Sequence, residues 1–341
     1  MHFINSKSQT FESLDQVQHW ILSLLLNYGE WVQPRGLNTL EISPITFTLL
    51  NPRKRCILNS RRKWSFPLAI GEFCWHISGS NELQFIQYYA KRWGKFSEDG
   101  STIHGSCYGH KIFATQERQP SQWEQIIQLL KIDSQSRRAV LSFFDTGSGL
   151  DAGAKDIACA CTLQFIIRYN KLYAISYMRS NDAIWGLPYD IFLFTMLQEM
   201  LACELGLALG TYTHFVGSIH VYEDYLELAQ SIVESSADDF FEMPPMKERE
   251  KLADFLQLEN QIREGHSVNL QEMFFLDKYW QDLLSVLKWY FLSRQAGGYS
   301  KVRDKIPDDF PYSTLLKNLA IESENLSITL PSSIKRKTIK R

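Results

Sequence analysis

The chain of 341 residues sets 36 Lys plus Arg against 38 Asp plus Glu, for a net charge of −2, with 45% hydrophobic and 13% aromatic side chains. That apolar content excludes a disordered polymer and suits one large core or two modest ones, and the near balance of charge excludes a global field for nucleic acid or membrane. The six cysteines, Cys56, Cys74, Cys107, Cys159, Cys161 and Cys203, form no CxxC pair and no zinc-like spacing with histidine, so free thiols, no metal and a cytoplasmic location are expected.

No basic-then-apolar leader pattern opens the sequence. Residues 11–27 place Leu14, Val17, Ile21, Leu24 and Leu25 on one helical face, and the polar stretch 29–38 reads as a loop carrying Arg35. Residues 45–50 and 139–144 have the length and composition of strands. Next, 162–169 and 172–178 alternate about an Asn170-Lys171 turn, the pattern of a hairpin. The most apolar run, 192–210, is interrupted by Gln198, Glu199 and Glu204 and so reads as a buried helix rather than a membrane span. Beyond Tyr225 the period turns helical, with Leu276, Trp280, Leu283, Leu284, Leu287 and Phe291 on one stripe that Gly297-Gly298 should end. Pro244-Pro245 and the charged run after it suggest a catalytic core over 1–230 followed by a helical C-terminal region over 231–341. The last eight residues, 334–341, hold five basic side chains and read as a solvated tail.

Several segments carry chemistry-bearing residues in a fixed order. They are Gly71-Glu72-Phe73-Cys74-Trp75, Gly105-Ser106-Cys107-Tyr108-Gly109, Ser136-Arg137-Arg138, Ala158-Cys159 with Gln164-Phe165, Arg179-Ser180-Asn181-Asp182, Gly186-Leu187-Pro188-Tyr189-Asp190 and His220-Val221-Tyr222. In type and order they resemble the motifs of the thymidylate synthase and deoxycytidylate hydroxymethylase superfamily, over most of residues 30–225. The resemblance implies an α+β fold with a large mixed sheet flanked by helices, a homodimer joined through the sheet, and 5,10-methylenetetrahydrofolate as the one-carbon donor.

The chemistry accounts for the residue types. A pyrimidine C5 is a poor nucleophile until a group adds to C6, and a cysteine thiolate does that best near neutral pH, which points to Cys159. A thiol is mostly protonated at that pH, so cationic neighbours are expected. By the resemblance, Arg35 and Arg179 bind the nucleotide phosphate from one subunit and Arg137 with Arg138 from the other, while Ser180 donates a hydroxyl; guanidinium forks match phosphate oxygens in a bidentate way. Glu72, in an otherwise apolar segment, resembles the carboxyl that moves protons at the ring. Tyr108 lines the site, His220 and Tyr222 resemble the pair that binds the sugar hydroxyl, and Asp182, Gly186 and Trp93 are candidates for the cofactor side, Asp182 for the nucleotide as well. Several have a plainer alternative, such as Cys159 as a small buried hydrophobe or Arg137 and Arg138 as a solvated pair.

The departures from the family pattern carry information. The base-reading asparagine is replaced by Asp190, Ala158-Cys159-Ala160 stands for Pro-Cys-His, Met178 precedes the Arg-Ser pair, and Gly217-Ser218 stands for Gly-Asp. Uracil offers an N3–H donor beside an O4 acceptor, whereas cytosine offers an N3 acceptor beside an amino donor, and a carboxyl group complements cytosine. These residues lead to the expectation of a C5-hydroxymethyltransferase acting on dCMP or CMP. The alternatives are a thymidylate synthase acting on dUMP and a catalytically silent nucleotide- or RNA-binding relative, the last favoured only if Cys159 is buried.

Overall fold

The computed structural model describes residues 9–114, 119–235, 241–266 and 273–321. The basic tail 334–341 lies outside the described residues. β1 (Gln9–Phe11) leads into α1 (Leu14–Tyr28), which starts on Ser13, whose hydroxyl accepts from the Gln16 amide at 3.3 Å. Leu14, Val17, Ile21 and Leu25 are fully buried, as their helical spacing demands. The expected loop over 29–38 instead holds β2 (Glu30–Val32) and a 3-10 turn at Pro34–Gly36. β2 pairs antiparallel with β3 (Thr39–Ile42), and at three residues it is too short for its alternation to be read from sequence.

β4 (Ile45–Leu49) follows, then α2 (Phe66–Ile77), which is capped by Ser65 and buried along its whole length. α3 (Leu83–Tyr89), α4 (Tyr108–Phe113) and α5 (Gln122–Ile132) precede β5 (Val140–Ser142) and the short α6 (Thr146–Gly149). β6 (Ala160–Arg168) and β7 (Lys171–Met178) form the expected hairpin, with its turn one residue earlier than expected. Tyr169 and Asn170 both have positive φ, 51° and 56°, the pair of left-handed residues that a two-residue hairpin turn requires. β8 (Asn181–Asp182) leads into the long buried helix α7 (Gly186–Leu205), ended by Gly206 at φ 65°.

β9 (Ala208–Val216), β10 (Ile219–Tyr222) and α8 (Leu226–Val233) complete the first part of the chain. Then come α9 (Leu252–Arg263), the helix Lys278–Ala296 and the short helix Ser313–Leu319. Leu276 lies just ahead of Lys278–Ala296, because Asp277 caps that helix through the Tyr279 amide; Gly297 ends it at φ 82° as expected.

The strands form a six-stranded mixed sheet in the order β1-β4-β9-β7-β6-β5 and a four-stranded one in the order β2-β3-β10-β8. This is the expected α+β architecture with a large mixed sheet. α7 packs on β7 and β9 and against α2, so the core lies between the helices and one face of the larger sheet. The opposite face presents Thr162, Gln164, Ile166, Tyr173, Ile175, Tyr177 and Phe215, all half-buried or exposed. The C-terminal helices dock on the same body: Tyr290 Oη donates to the Tyr88 and Tyr89 carbonyls, each at 3.1 Å, and Trp280 Nε1 to the Lys247 carbonyl at 2.8 Å. Among the described residues no helix is long and apolar enough to cross a membrane.

Candidate active site

Cys159 stands at the end of the loop that enters β6, and its surface is only partly covered. Cys161 sits at a bulge, where the pairing of β6 with β7 slips between Ala160 and Thr162, so simple strand alternation does not place its thiol. The loop before Cys159 is held by Asp156, which accepts from the backbone amides of Gly105 and Ser106 at 2.7 and 2.9 Å and from the Ser106 hydroxyl. The contact is tight: a Cβ on Gly105 would lie 2.2 Å from the Asp156 carbonyl oxygen. Tyr108, at the start of α4, receives the Ala160 amide on its hydroxyl at 3.2 Å. His76 of α2 accepts from the Gly109 amide at 3.1 Å and stacks on the Tyr108 ring at 5.6 Å. The Gly-Ser-Cys-Tyr-Gly segment is thus tied both to α2 and to the Cys159 loop.

Arg179 holds the other side of the thiol. Its guanidinium donates to the Ala158 carbonyl at 2.8 Å and the Ile157 carbonyl at 3.1 Å, and Nη2 lies 3.9 Å from Cys159 Sγ. Arg35, in left-handed backbone at φ 51°, is close enough to act on Cys159 and Tyr222. Burial pushes the thiol up to about 11, outweighing the pull of Arg179 and Arg35, while Asp190 and Asp156 add to the rise. The cationic neighbours expected from sequence are present, yet they do not make the resting thiol acidic.

Two carboxyls share this enclosure. Glu72 is 7% exposed and accepts from Trp93 Nε1 at 3.3 Å; burial raises its pKa to about 7 against the pull of Arg92 and the Trp93 hydrogen bond. Asp190, the fifth residue of α7, is raised to about 8 by burial, opposed by a 2.7 Å hydrogen bond from Asn181 and reinforced by Glu72 and Asp182. Both are therefore able to carry a proton near neutrality. Gly186 opens α7 beside them; a Cβ there would lie 2.9 Å from Asn181 Nδ2 and 3.3 Å from Asp190 Oδ2.

Asp182 holds the turn ahead of α7, accepting from the Ile184 and Trp185 amides at 2.7 and 3.1 Å. His220, paired in register with Asp182 and with Glu41, is lowered by burial and pulled back up by both carboxylates. Tyr222, with its ring 5.1 Å from that of His220, is raised by burial and by Asp182. Ser180 is half-buried between Arg179 and β8.

The structure therefore gathers Cys159, Glu72, Tyr108, Arg35, Arg179, Ser180, Asp182, Gly186, Asp190, His220, Tyr222 and Trp93 around one end of the sheets and the start of α7. Arg137 and Arg138 are elsewhere. Both are exposed, ahead of β5, where the Ala139 carbonyl accepts from the Phe165 amide at 2.8 Å. The strand run from Cys159 to Phe165 is roughly 20 Å long, beyond the reach of an arginine side chain.

Sequence reasoning missed Asp156, His76, Arg92 and the buried pair Asn181 and His214. Asp156 and His76 act through backbone groups and leave no spacing signature. His214 sits in a regular strand alternation that marks it only as inward-facing. Among the described residues no group of His, Cys, Asp and Glu is arranged to hold a metal ion.

Comparison with known proteins adds to this geometry. A deoxyuridylate hydroxymethyltransferase of Bacillus phage SP01 is 28% identical over 214 residues, covering 60% of this chain and 56% of the phage protein. Proteins of the same name from Pseudomonas phage M6 and Delftia phage PhiW-14 are 29% and 27% identical, covering 57% and 61% of this chain and 55% and 60% of their own lengths. The matched region thus spans less than two thirds of each relative. The thymidylate synthase family profile matches residues 19–264, which takes in every candidate site residue and the greater part of the chain. With the expected motifs gathered at one site on a mixed-sheet α+β body, this chain belongs to the thymidylate synthase family.

Proposed function

We propose that this protein transfers a hydroxymethyl group to C5 of a pyrimidine nucleoside monophosphate, with 5,10-methylenetetrahydrofolate as the one-carbon donor. The observation that carries the reading is the grouping of a nucleophilic thiol with two carboxyls, Glu72 and Asp190, whose pKa values burial raises to about 7 and about 8. In the proposed reaction Cys159 Sγ, as thiolate, bonds to C6 and leaves C5 electron-rich; Arg179 stabilises the thiolate. Glu72 takes or gives the proton at the ring, and Tyr108 holds the Ala160 amide and so the position of Cys159. Arg35, Arg179 and Ser180 bind the phosphate, and His220 with Tyr222 hold the sugar. C5 would then bond to the donated carbon as that carbon's bond to the donor breaks and the C5 proton passes to a base; water would add to that carbon while Cys159 is still bonded to C6, and departure of the thiolate would restore the ring double bond. The silent-relative reading loses support because Cys159 keeps part of its surface open.

The folate, when bound, supplies carbon at the oxidation level of formaldehyde. The residues beside Glu72 fit an aromatic, anionic reagent: Trp93 stands edge-on to Trp75 at 5.3 Å, the Arg92 guanidinium lies 4.2 Å over Trp185, and the buried Trp185 Nε1 has no partner. We assign Trp93, Asp182 and Gly186 to that side of the site.

Asp190 favours cytosine. A neutral carboxyl donates to N3 and accepts from the amino group, whereas each buried mismatch costs about 1 to 3 kcal/mol. A second reading, a uracil nucleotide, is favoured by the relatives, all named deoxyuridylate hydroxymethyltransferases. A panel of dCMP, CMP, dUMP and UMP with labelled methylenetetrahydrofolate tests both readings. Hydroxymethyl transfer leaves tetrahydrofolate and methyl transfer produces dihydrofolate, so formation of dihydrofolate with dUMP would replace this proposal with thymidylate synthesis. Turnover of no member of the panel would remove the enzymatic reading.

We further propose a homodimer joined through the open face of the larger sheet. An uncovered face bearing Tyr177 at 48% and Phe215 at 43% exposure, flanked by Ile166, Tyr173 and Ile175, is the kind of patch that a second copy covers. Such a dimer would bring Arg137 and Arg138 of the partner to a site that their own chain cannot supply.

A further inference from the structure

Asp190 is backed by a chain of buried polar groups that runs across three strands. Its Oδ2 accepts from Asn181 Nδ2 at 2.7 Å, and Asn181 Oδ1 lies 3.2 Å from His214 Nε2. On the far side of the ring, His214 Nδ1 lies 2.8 Å from the Ser176 hydroxyl and 2.7 Å from the Tyr212 hydroxyl. Asn181 is 1% exposed, and His214, Ser176 and Tyr212 are fully enclosed. Asn181 begins β8, His214 and Tyr212 alternate on β9, and Ser176 of β7 is the register partner of His214.

The polarity of this chain follows from the inventory of donors and acceptors. The amide oxygen of Asn181 only accepts, so the hydrogen of the imidazole is on Nε2. Burial lowers the His214 pKa to about 3, so the ring is neutral and Nδ1 accepts from one of the two hydroxyls. Every donor then points toward Asp190. Oδ2 is committed as an acceptor, and the proton of a neutral carboxyl is left on Oδ1.

That placement has a chemical consequence at the base. A neutral carboxyl presents one donor and one acceptor, and which oxygen carries the hydrogen decides whether it complements cytosine or uracil at N3 and position 4. We propose that Asn181 and His214 are positioning residues that pin the Asp190 proton to Oδ1 and thereby set the base selectivity of the site. The inference rests on the reading of Asp190 as the group that contacts the base. It explains why a core of this kind keeps an amide, an imidazole and a hydroxyl in contact, where an incompletely satisfied network is worse than apolar packing.

The test compares kcat/KM for cytosine and uracil monophosphates in Asn181→Leu, His214→Phe, His214→Gln and Asp190→Asn, with folding checked by circular dichroism. The wild-type ratio is expected to move about tenfold or more toward unity in Asn181→Leu and His214→Phe, since the proton is then free to occupy either oxygen. In His214→Gln, whose amide nitrogen can replace the Nε2 donor, the ratio should return to within about threefold of wild type. A purely structural role would lower activity on both bases alike and leave the ratio still. If Asn181→Leu does not fold, Asn181→Ser, too short to reach Asp190, gives the same comparison.

A ratio changed by Asp190→Asn but held within about twofold in the Asn181 and His214 variants overturns this inference and leaves the reading of Asp190 intact. A ratio unmoved by Asp190→Asn overturns that reading and this inference with it. So does a wild-type ratio near unity.

Discussion

Glu72 and Asp190 face one physical problem, a carboxyl removed from water with too little positive charge nearby to keep it ionised. The ordinary value of Asp190 is 3.8 and its folded value about 8, so across that window the folded chain holds a proton that the unfolded chain has lost. Stability therefore falls as pH rises through the window, and the protonated form, to which the proposed base contact is assigned, is depleted above it. We expect kcat/KM to decline on an alkaline limb near that folded value. In Glu72→Gln the limb should move to lower pH, because the Glu72 charge helps to raise Asp190; in Asp190→Asn it should flatten. Rate profiles over pH check this, and a limb unchanged in both variants would show that neither carboxyl governs it. The exchange of asparagine for aspartate at 190 was legible in the sequence, and the cytosine selectivity proposed for it rests on that exchange. The partner that polarises the carboxyl was not, because Asn181 looks in sequence like one more polar residue of an Arg-Ser-Asn-Asp motif.

At the scale of elements, long periodic segments were readable and short ones were not. α1, the β6–β7 hairpin and the helix ended by Gly297 lie close to where their spacing puts them, the hairpin turn one residue earlier and Leu276 ahead of its helix, since burial of one face imposes the period. β2 and β8 escaped because strands of three and two residues depend on pairing across the chain rather than on local pattern. The site inherits both kinds of element. In α4 the Tyr108-Gly109 part of one motif also packs the helix against α2. Gly109 lies so close to α2 that a Cβ would sit 1.9 Å from the His76 carbonyl oxygen, with no flexible side chain to yield. Gly109→Ala should therefore push α4 from α2, displace Tyr108 from the Ala160 amide and lower the melting temperature by several degrees, as expected of overpacking at roughly 1 to 3 kcal/mol. Calorimetry with kcat on the same sample checks it. An unchanged melting temperature and full activity would mean that the contact relaxes freely and that the Tyr108 position does not depend on it.

The whole molecule poses a question that one chain leaves open, namely what Arg137 and Arg138 serve. They are exposed at the far end of the β5–β6 ladder, roughly 20 Å of strand from their own Cys159, so a phosphate held near that thiol is out of their reach. The proposed dimer through the open sheet face would give them a purpose, since two-fold pairing of the same surface would bring each chain's far ladder end toward the other chain's site. If the sites are shared in this way, damage on one chain is felt on the other. Arg138→Ala and Cys159→Ser are each expected to be nearly inactive as homodimers. Mixed, they form heterodimers in which one site has lost both groups and the other retains both. A statistical mixture places half of the dimers in that class, so about one quarter of the wild-type activity per chain should return. Mixing followed by verification of heterodimers by mass and a rate measurement decides the matter. Verified heterodimers without recovered activity would overturn the shared site and confine any role of Arg138 to its own chain, and activity in the Arg138→Ala homodimer near wild type would reduce the pair to solvated surface.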